Sequence, residues 1–369
     1  MTFSPPWWLS HDIKDLNNQA RRALHQDPGH SNGFRIVIPL TLKQTQHRKP
    51  IGSPFTRLCQ VIIAASRKYK LDLPEDDSLL YQEKGESAIV QQNGSSERTP
   101  EFSFLDKAAI VTPSDFSCSG TLNPWRLCTM LQVEEFKSIL RLLPIWATFI
   151  IFASVSAQER LVFVEQAMVM DKCFGSLNIP AASVSSFNVL VVVVFAPIYD
   201  KIIIPVARRI TKTEEGISHL QRVGIGLLFS ILAMLSATIV EIKRLQIARD
   251  EGLVHQNVAV PMSVFWQIPQ YVLGGIGEVF NQIGMLDFFY DQAPDSMRSL
   301  CLALALLTLS LGNYLTSFIL TVVNRVTRWI PENLNEGHLD RFFLLFVGLC
   351  LFNLVLFAYY ASRYRYKKK

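Results

Sequence analysis

Ser263-Val-Phe-Trp-Gln-Ile-Pro-Gln-Tyr-Val-Leu-Gly-Gly-Ile-Gly-Glu278-Val-Phe-Asn-Gln-Ile-Gly-Met-Leu286 decides how the chain reads. It is long and apolar enough for a membrane span, and Glu278 is its one charged side chain before Asp287. A carboxylate at membrane depth costs about 3 kcal/mol on insertion scales. A chain tolerates it where the carboxylate meets a cavity or a partner. Gln267, Tyr271, Gly274, Gly275, Glu278, Asn281 and Gln282 recur at spacings of three and four, which places them on one helix face. Val272, Leu273, Ile276, Val279 and Ile283 take the other faces, where lipid or packed helices suit them. A wet stripe with an acid at its centre suits a transport pathway. The same pattern also fits a carboxylate bonded to a neighbouring helix for structure.

Working outward, five more stretches lack Asp, Glu, Lys and Arg: Leu142–Gln158, Ser176–Tyr199, Val223–Val240, Ser299–Asn324 and Phe342–Ser362. A spanning helix needs roughly 17 to 25 residues. Backbone groups in lipid are satisfied internally, so helices are the default. The reading is an all-α membrane protein with six transmembrane helices over residues 131–369. Pro144 is expected near the start of the first span and Pro180 near the start of the second, while Pro197 kinks the second. Pro269 is expected to interrupt the fourth span and open backbone groups toward a cavity. Gly224-Ile225-Gly226 permits close helix packing.

Residues 1–130 are different material, expected to be cytoplasmic and partly disordered, above all over 72–98. Within them, Phe55, Leu58, Cys59, Ile62 and Ile63 form an apolar face in 54–70, with Arg57, Arg67, Lys68 and Lys70 around it. That pattern fits an amphipathic helix on an anionic membrane surface, and equally a short soluble helix. Asn93-Gly94-Ser95 matches a glycosylation sequon that a cytoplasmic position leaves unused. Met1–Gln60 has no continuous apolar h-region, so the first span is expected to direct insertion.

The net charge of +5 is read as positive-inside flanking, with no nucleic-acid partner. Lys and Arg gather on the side of Lys201, Arg208, Arg209, Arg363 and Arg365, which places both termini in the cytoplasm. The six cysteines form no CxxC pair or disulfide framework, and no His falls in a span. Walker A, HExxH, GxSxG and Rossmann signatures do not occur, so no enzyme is expected.

Eight motifs follow one another in a recognisable order: Gly52–Leu58 (GSPFTRL), Phe104–Ala109 (FLDKAA), Asn123–Cys128 (NPWRLC), Leu143–Ala147 (LPIWA), Ala196–Asp200 (APIYD), Leu220–Gly226 (LQRVGIG), Phe265–Tyr271 (FWQIPQY) and Phe288–Leu300 (FFYDQAPDSMRSL). Together they resemble the central loop and C-terminal six-helix half of the plant nitrate/peptide transporter family. This is the proton-dependent oligopeptide transporter branch of the major facilitator superfamily, and the likeness is to its peptide-type subgroup. The resemblance implies proton-coupled symport of di- and tripeptides across the plasma or vacuolar membrane, with the proton as coupling ion and no other cofactor.

By the same resemblance, Glu278 faces the substrate and binds its amino terminus. Asn188, Tyr271, Asn281 and Gln282 offer hydrogen bonds to the peptide, and Asp200 with Arg208 and Arg209 forms a cytoplasmic latch. The acid that the family often carries before Gln158 is Ala157 here, and Ser156 stands where nitrate-type members can carry His. The family's first-helix ExxER motif does not occur, and Glu159-Arg160, after the first apolar run, is not that motif. Three readings stay open: peptide symport; a half-transporter that needs a partner half, pairs as a homodimer, or does not transport alone; and transport of nitrate or another small anion.

Overall fold

The computed structural model describes residues 53–74, 80–81, 99–115, 122–174, 177–212, 216–327, 329–364 and 366. The expectations for residues 1–52, for 75–79 and 82–98 and for the Asn93 sequon lie outside the described residues. Seven helices organise the rest: α1 (Pro54–Arg67), α2 (Met130–Met168), α3 (Ala181–Thr211), α4 (His219–Asp250), α5 (Ile268–Gln292), α6 (Arg298–Val326) and α7 (Leu339–Arg363). Five of them, α2, α3, α4, α6 and α7, are long and apolar enough to cross a membrane. The remaining long helix, α5, carries the polar stripe and lies in the bundle against α3, α4 and α6. The two short strand pairs sit in the connections, Met170–Asp171 with Val260–Ser263 and Cys173–Phe174 with Leu177–Asn178.

Local signals set the helix ends. Thr129 and Ser218 cap α2 and α4 with reciprocal capping boxes to Gln132 and Gln221. The α2 start therefore lies well before Pro144, which is interior to the helix and not near its beginning. Pro180 is the residue before the first turn of α3. Pro197 precedes a π-helical stretch, Tyr199–Ile203, which splits α3 where a kink was expected. Pro269 is corrected: Val260–Ser263 is a strand and Val264–Gln267 a 3-10 turn, so Pro269 falls in the first turn of α5. A proline there replaces an N–H that has no helical partner anyway, so it starts the helix without breaking it.

Two apolar clusters fill the bundle at its two ends. One gathers Phe163, Met234, Phe342, Phe343 and Phe346, the other Phe149, Leu227, Phe288 and Phe289. A third cluster joins Val61, Ala64 and Ala65 of α1 to Leu105, Ala108, Val133 and Phe136. The face of α1 that packs is therefore not the expected one, of which Leu58 alone joins this cluster in part. Val61, Ala64 and Ala65 pack on the chain, whereas Phe55, Cys59 and Ile62 remain exposed.

Ion pairs fasten this α1 end. Arg57 meets Glu135 at 3.2 Å, Lys68 meets Asp115 at 2.8 Å, and the fully buried Lys137 meets Asp106 at 2.5 Å and Glu134 at 2.9 Å. At the opposite end, Arg244 is enclosed by Glu241 (2.6 and 3.0 Å), Asn335 Oδ1 (2.6 Å) and the Leu334 carbonyl (3.1 Å). Asn335 in turn donates to the carbonyls of Gln256 and Val258, which pins the loops that enter α5 and α7.

Candidate functional site

The polar stripe of α5 divides along its length. Gln267 and Gln270 both donate to Gln166 Oε1, at 2.9 and 3.1 Å, and Gln166 Nε2 donates to Glu241. These amides join α5 to α2 and α4 and do not line an open path. Tyr271 is buried, its ring edge-to-face with Phe163 at 5.4 Å. Asn281 is buried where α5 crosses α4, beside Gly226, and its amide leans on the Gly277 carbonyl of its own helix. A uniformly wet face is therefore corrected to a packing seam with one opening. Small residues cause this: a Cβ on Gly226 would sit 2.9 Å from the Gly277 carbonyl, and one on Gly275 would sit 2.7 Å from Asn188 Oδ1. Backbones that close leave no room for a water-filled channel.

The opening is centred on Glu278, whose side chain is 29% exposed. Asn188 of α3 donates from Nδ2 to Glu278 Oε2 at 3.1 Å. Arg160 of α2 brings its guanidinium to 3.8 Å from Glu278 Oε1. Glu159, the residue before it, is buried and reaches α5 at Gly274, one turn from Glu278. Its Oε1 has no hydrogen-bond partner, and neither have Asn188 Oδ1 and the side-chain amide atoms of buried Gln158. A separate small pocket between α2, α5 and α6 is lined by Phe149, Phe152, Asn281, Gln282, Met285 and Thr308. Among the sequence-derived site residues, Glu278 and Asn188 thus come together. Gln282 and Asn281 border the neighbouring pocket, and Tyr271 is packed away from both.

Asp200 lies in the π-helical stretch of α3, and Arg208 and Arg209 lie in its last turn, all three exposed. Among the described residues no ion pair joins Asp200 to either arginine, because helix continues between them and the arginines project past it. Arg208 packs its stem on Gly216 instead. The charged contact at this end is between α4 and α5. Arg222 meets Asp287 at 2.9 Å, and His219 meets Asp291 at 3.0 Å.

Glu159 and Arg160 were missed as site residues because they follow the last charge-free position of the first apolar run. The signal that α2 continues was present: Val162, Phe163, Gln166 and Ala167 follow Glu159 at helical spacing, and all are buried.

Residues 37–335 match the PTR2 model of the POT family. In Arabidopsis thaliana, Protein NRT1/PTR FAMILY 8.2 is 48% identical over 328 residues, covering 87% of this chain and 57% of that protein. Protein NRT1/PTR FAMILY 8.3 is 47% identical over 327 residues, 87% of this chain and 56% of the relative. The chain therefore spans little more than half the length of these relatives. A crystal structure of an auto-inhibited POT family peptide transporter aligns with a TM-score of 0.54 at 25% identity, over 64% of this chain and 43% of that one. The in meso crystal structure of the POT family transporter PepTSo shares the fold, with a TM-score of 0.52 and 18% identity over 87% of this chain and 56% of that one. With its apolar helices, this makes the chain an integral, multi-pass membrane protein. The chain belongs to the POT family.

Proposed function

We propose that the chain serves proton-coupled symport of di- and tripeptides, with Glu278 as the subsite for the peptide's amino terminus. The observation that carries this is the Glu278–Asn188 pair, a carboxylate and an amide at 3.1 Å that open between α2, α3 and α5. A carboxylate at low local dielectric holds an ammonium by a charge-assisted hydrogen bond. The peptide-transporter neighbour supports the substrate class, and the names of the plant relatives are in keeping with nitrate or peptide transport in general. Glu159 is the second carboxyl beside the site, and a proton is the coupling ion that a buried carboxyl accepts at least cost. The test is uptake of labelled dipeptide, which is expected to rise at mildly acidic pH and to resist excess nitrate. Displacement by nitrate would point to the anion reading instead.

A second reading is favoured by α3. Val189, Leu190, Val193 and Val194 are exposed on the helix that carries Asn188. Further membrane helices, from a partner half or a second copy, would cover them and close the site. Pull-down with a co-expressed full-length relative tests the partner half, and dipeptide uptake by this chain alone would exclude the need for one while leaving the second copy as the closing element.

A further inference from the structure

The outer flank of α1 takes no part in the packing that holds the helix. Val61, Ala64 and Ala65 are buried, and Lys68 is buried beside them on Asp115 at 2.8 Å. Phe55, Cys59 and Ile62 recur at spacings of four and three on another flank, with Phe55 64% and Ile62 50% exposed. An apolar stripe of this kind, edged by polar residues, marks an interaction surface.

Several contacts fix the level at which α1 lies. Leu58, next to Cys59 and on the bundle side of the stripe, packs against the cluster of Leu142, Ile145 and Phe149, where the charge-free run of α2 begins. Arg57 pairs with Glu135, and Ser296 donates to the same carboxylate. Glu135 precedes Leu142 by about 10 Å along the helix axis. The headgroup layer beyond the apolar core is roughly 5–8 Å deep, and a helix with its side chains extends about 5 Å from its own axis. The flank of α1 therefore falls within that layer. Close to Ser296, the Arg298 guanidinium lies 4.8 Å from the centre of the half-exposed Tyr290 ring. Arg363 lies 4.6 Å from the centre of the Tyr359 ring, also half-exposed, at the end of α7 that packs on Phe288 through Tyr364. Tyrosines with basic partners are what a membrane–water boundary collects, so α1 shares its level with an aromatic belt.

Charge selects the lipid. Residues 54–72 hold one acid, Asp72, against Arg57, Arg67, Lys68 and Lys70. Arg57 and Lys68 are engaged by Glu135 and Asp115. Arg67 and Lys70 stay exposed, Arg67 steadied by the Trp125 carbonyl at 3.2 Å and Lys70 over the ring of Tyr69. On the neighbouring segments Asp106, Asp115, Glu134 and Glu135 are buried on cations, and the exposed Glu101 is paired with Arg141. The apolar stripe is thus edged by basic charge, which an acidic bilayer surface complements.

We propose that α1 is an interfacial helix, with Phe55, Cys59 and Ile62 at the boundary of headgroups and acyl chains and with Arg67 and Lys70 holding anionic headgroups. Its inner face ties this anchor to the start of α2.

The test places a bimane label on Cys59 of the full chain in lipid nanodiscs, with Cys118→Ser and Cys173→Ser to leave Cys59 as the reactive thiol. Quenching by 5-doxyl phosphatidylcholine and by aqueous iodide reads the depth. Quenching by 5-doxyl phosphatidylglycerol, against the phosphatidylcholine form at equal mole fraction, reads the headgroup preference. Strong quenching by the doxyl lipids and weak quenching by iodide are expected. Phosphatidylglycerol is expected to be enriched beside the label about five-fold, the worth of one basic residue at an anionic surface. Lys70→Gln is expected to reduce that preference, and Arg67→Gln with Lys70→Gln to erase it while the doxyl lipids still quench, which shows α1 still in place. Dominant quenching by iodide puts the stripe in water, and protection from both quenchers puts it under protein, such as a partner half. Either result overturns the proposal, as does equal quenching by the two lipids before the substitutions or an unchanged preference after them.

Discussion

At the scale of single residues, the bundle is marked by charges that have been taken out of water and enclosed. Lys137 has no exposure and holds Asp106, Glu134 and the Thr99 carbonyl around its ammonium. Removing one partner of such a group leaves the others uncompensated, at a cost of about 3–5 kcal/mol. Lys137→Met is therefore expected to lower unfolding stability in detergent by that order and to make the 99–115 segment sensitive to protease. A variant as stable and as resistant as the wild type would show that these carboxylates find other partners. Cysteines in the same region separate by environment. Burial pushes the Cys128 thiol up to about 11, against the opposing pull of Lys68 and Arg57, while Cys59 lies exposed on α1. Iodoacetamide attacks thiolates, so near neutral pH Cys59 is expected to alkylate and Cys128 to stay unmodified, as read by peptide mass spectrometry. Glu278 was legible in the sequence because one acid in an apolar run has few explanations. Glu159 was not, because a charge at the end of such a run is also what a span boundary looks like.

At the scale of helices, α4 and α5 are held together by what their side chains lack. A Cβ on Gly226 would lie 2.9 Å from the Gly277 carbonyl, and one on Gly277 would lie 3.0 Å from the Gly226 carbonyl, so the contact is reciprocal and made with backbone. Gly226→Val is expected to cost about 1–3 kcal/mol through overpacking. Gly348→Ala, where no atom lies within 4 Å of the added carbon, is expected to cost far less. Thermal unfolding of both variants in one detergent checks this, and equal melting temperatures would remove the close approach from the account. The Gly224–Gly226 stretch was read as a packing device from its position in a span, and Gly226 fills that role. The stripe from Gln267 to Gln282 was harder to read, because periodicity gives a face and not its neighbour. Polar residues at spacings of three and four suit water, and they suit equally the amides of another helix, as Gln166 shows.

At the scale of the whole molecule, long charge-free runs and the order of loop motifs carried the fold. The six long helices overlap those runs, and α2, α3 and α4 outrun theirs, α2 and α4 through buried charges such as Glu134, Lys137 and Glu159, and Glu241 and Arg244. Family membership rests on a match over residues 37–335 and on relatives of which this chain spans little more than half. What the relatives' length leaves open is whether the Glu278 opening works in this chain as it stands. Uptake of labelled dipeptide in a transporter-deficient cell, at mildly acidic and mildly alkaline pH, for the wild-type chain and Glu278→Gln at matched membrane expression, answers that directly. Acid-stimulated uptake by the wild type that Glu278→Gln lacks is the expected result. Equal uptake by the two chains, or none from a well-expressed wild type, would overturn the assignment of Glu278 as the working substrate site of this chain.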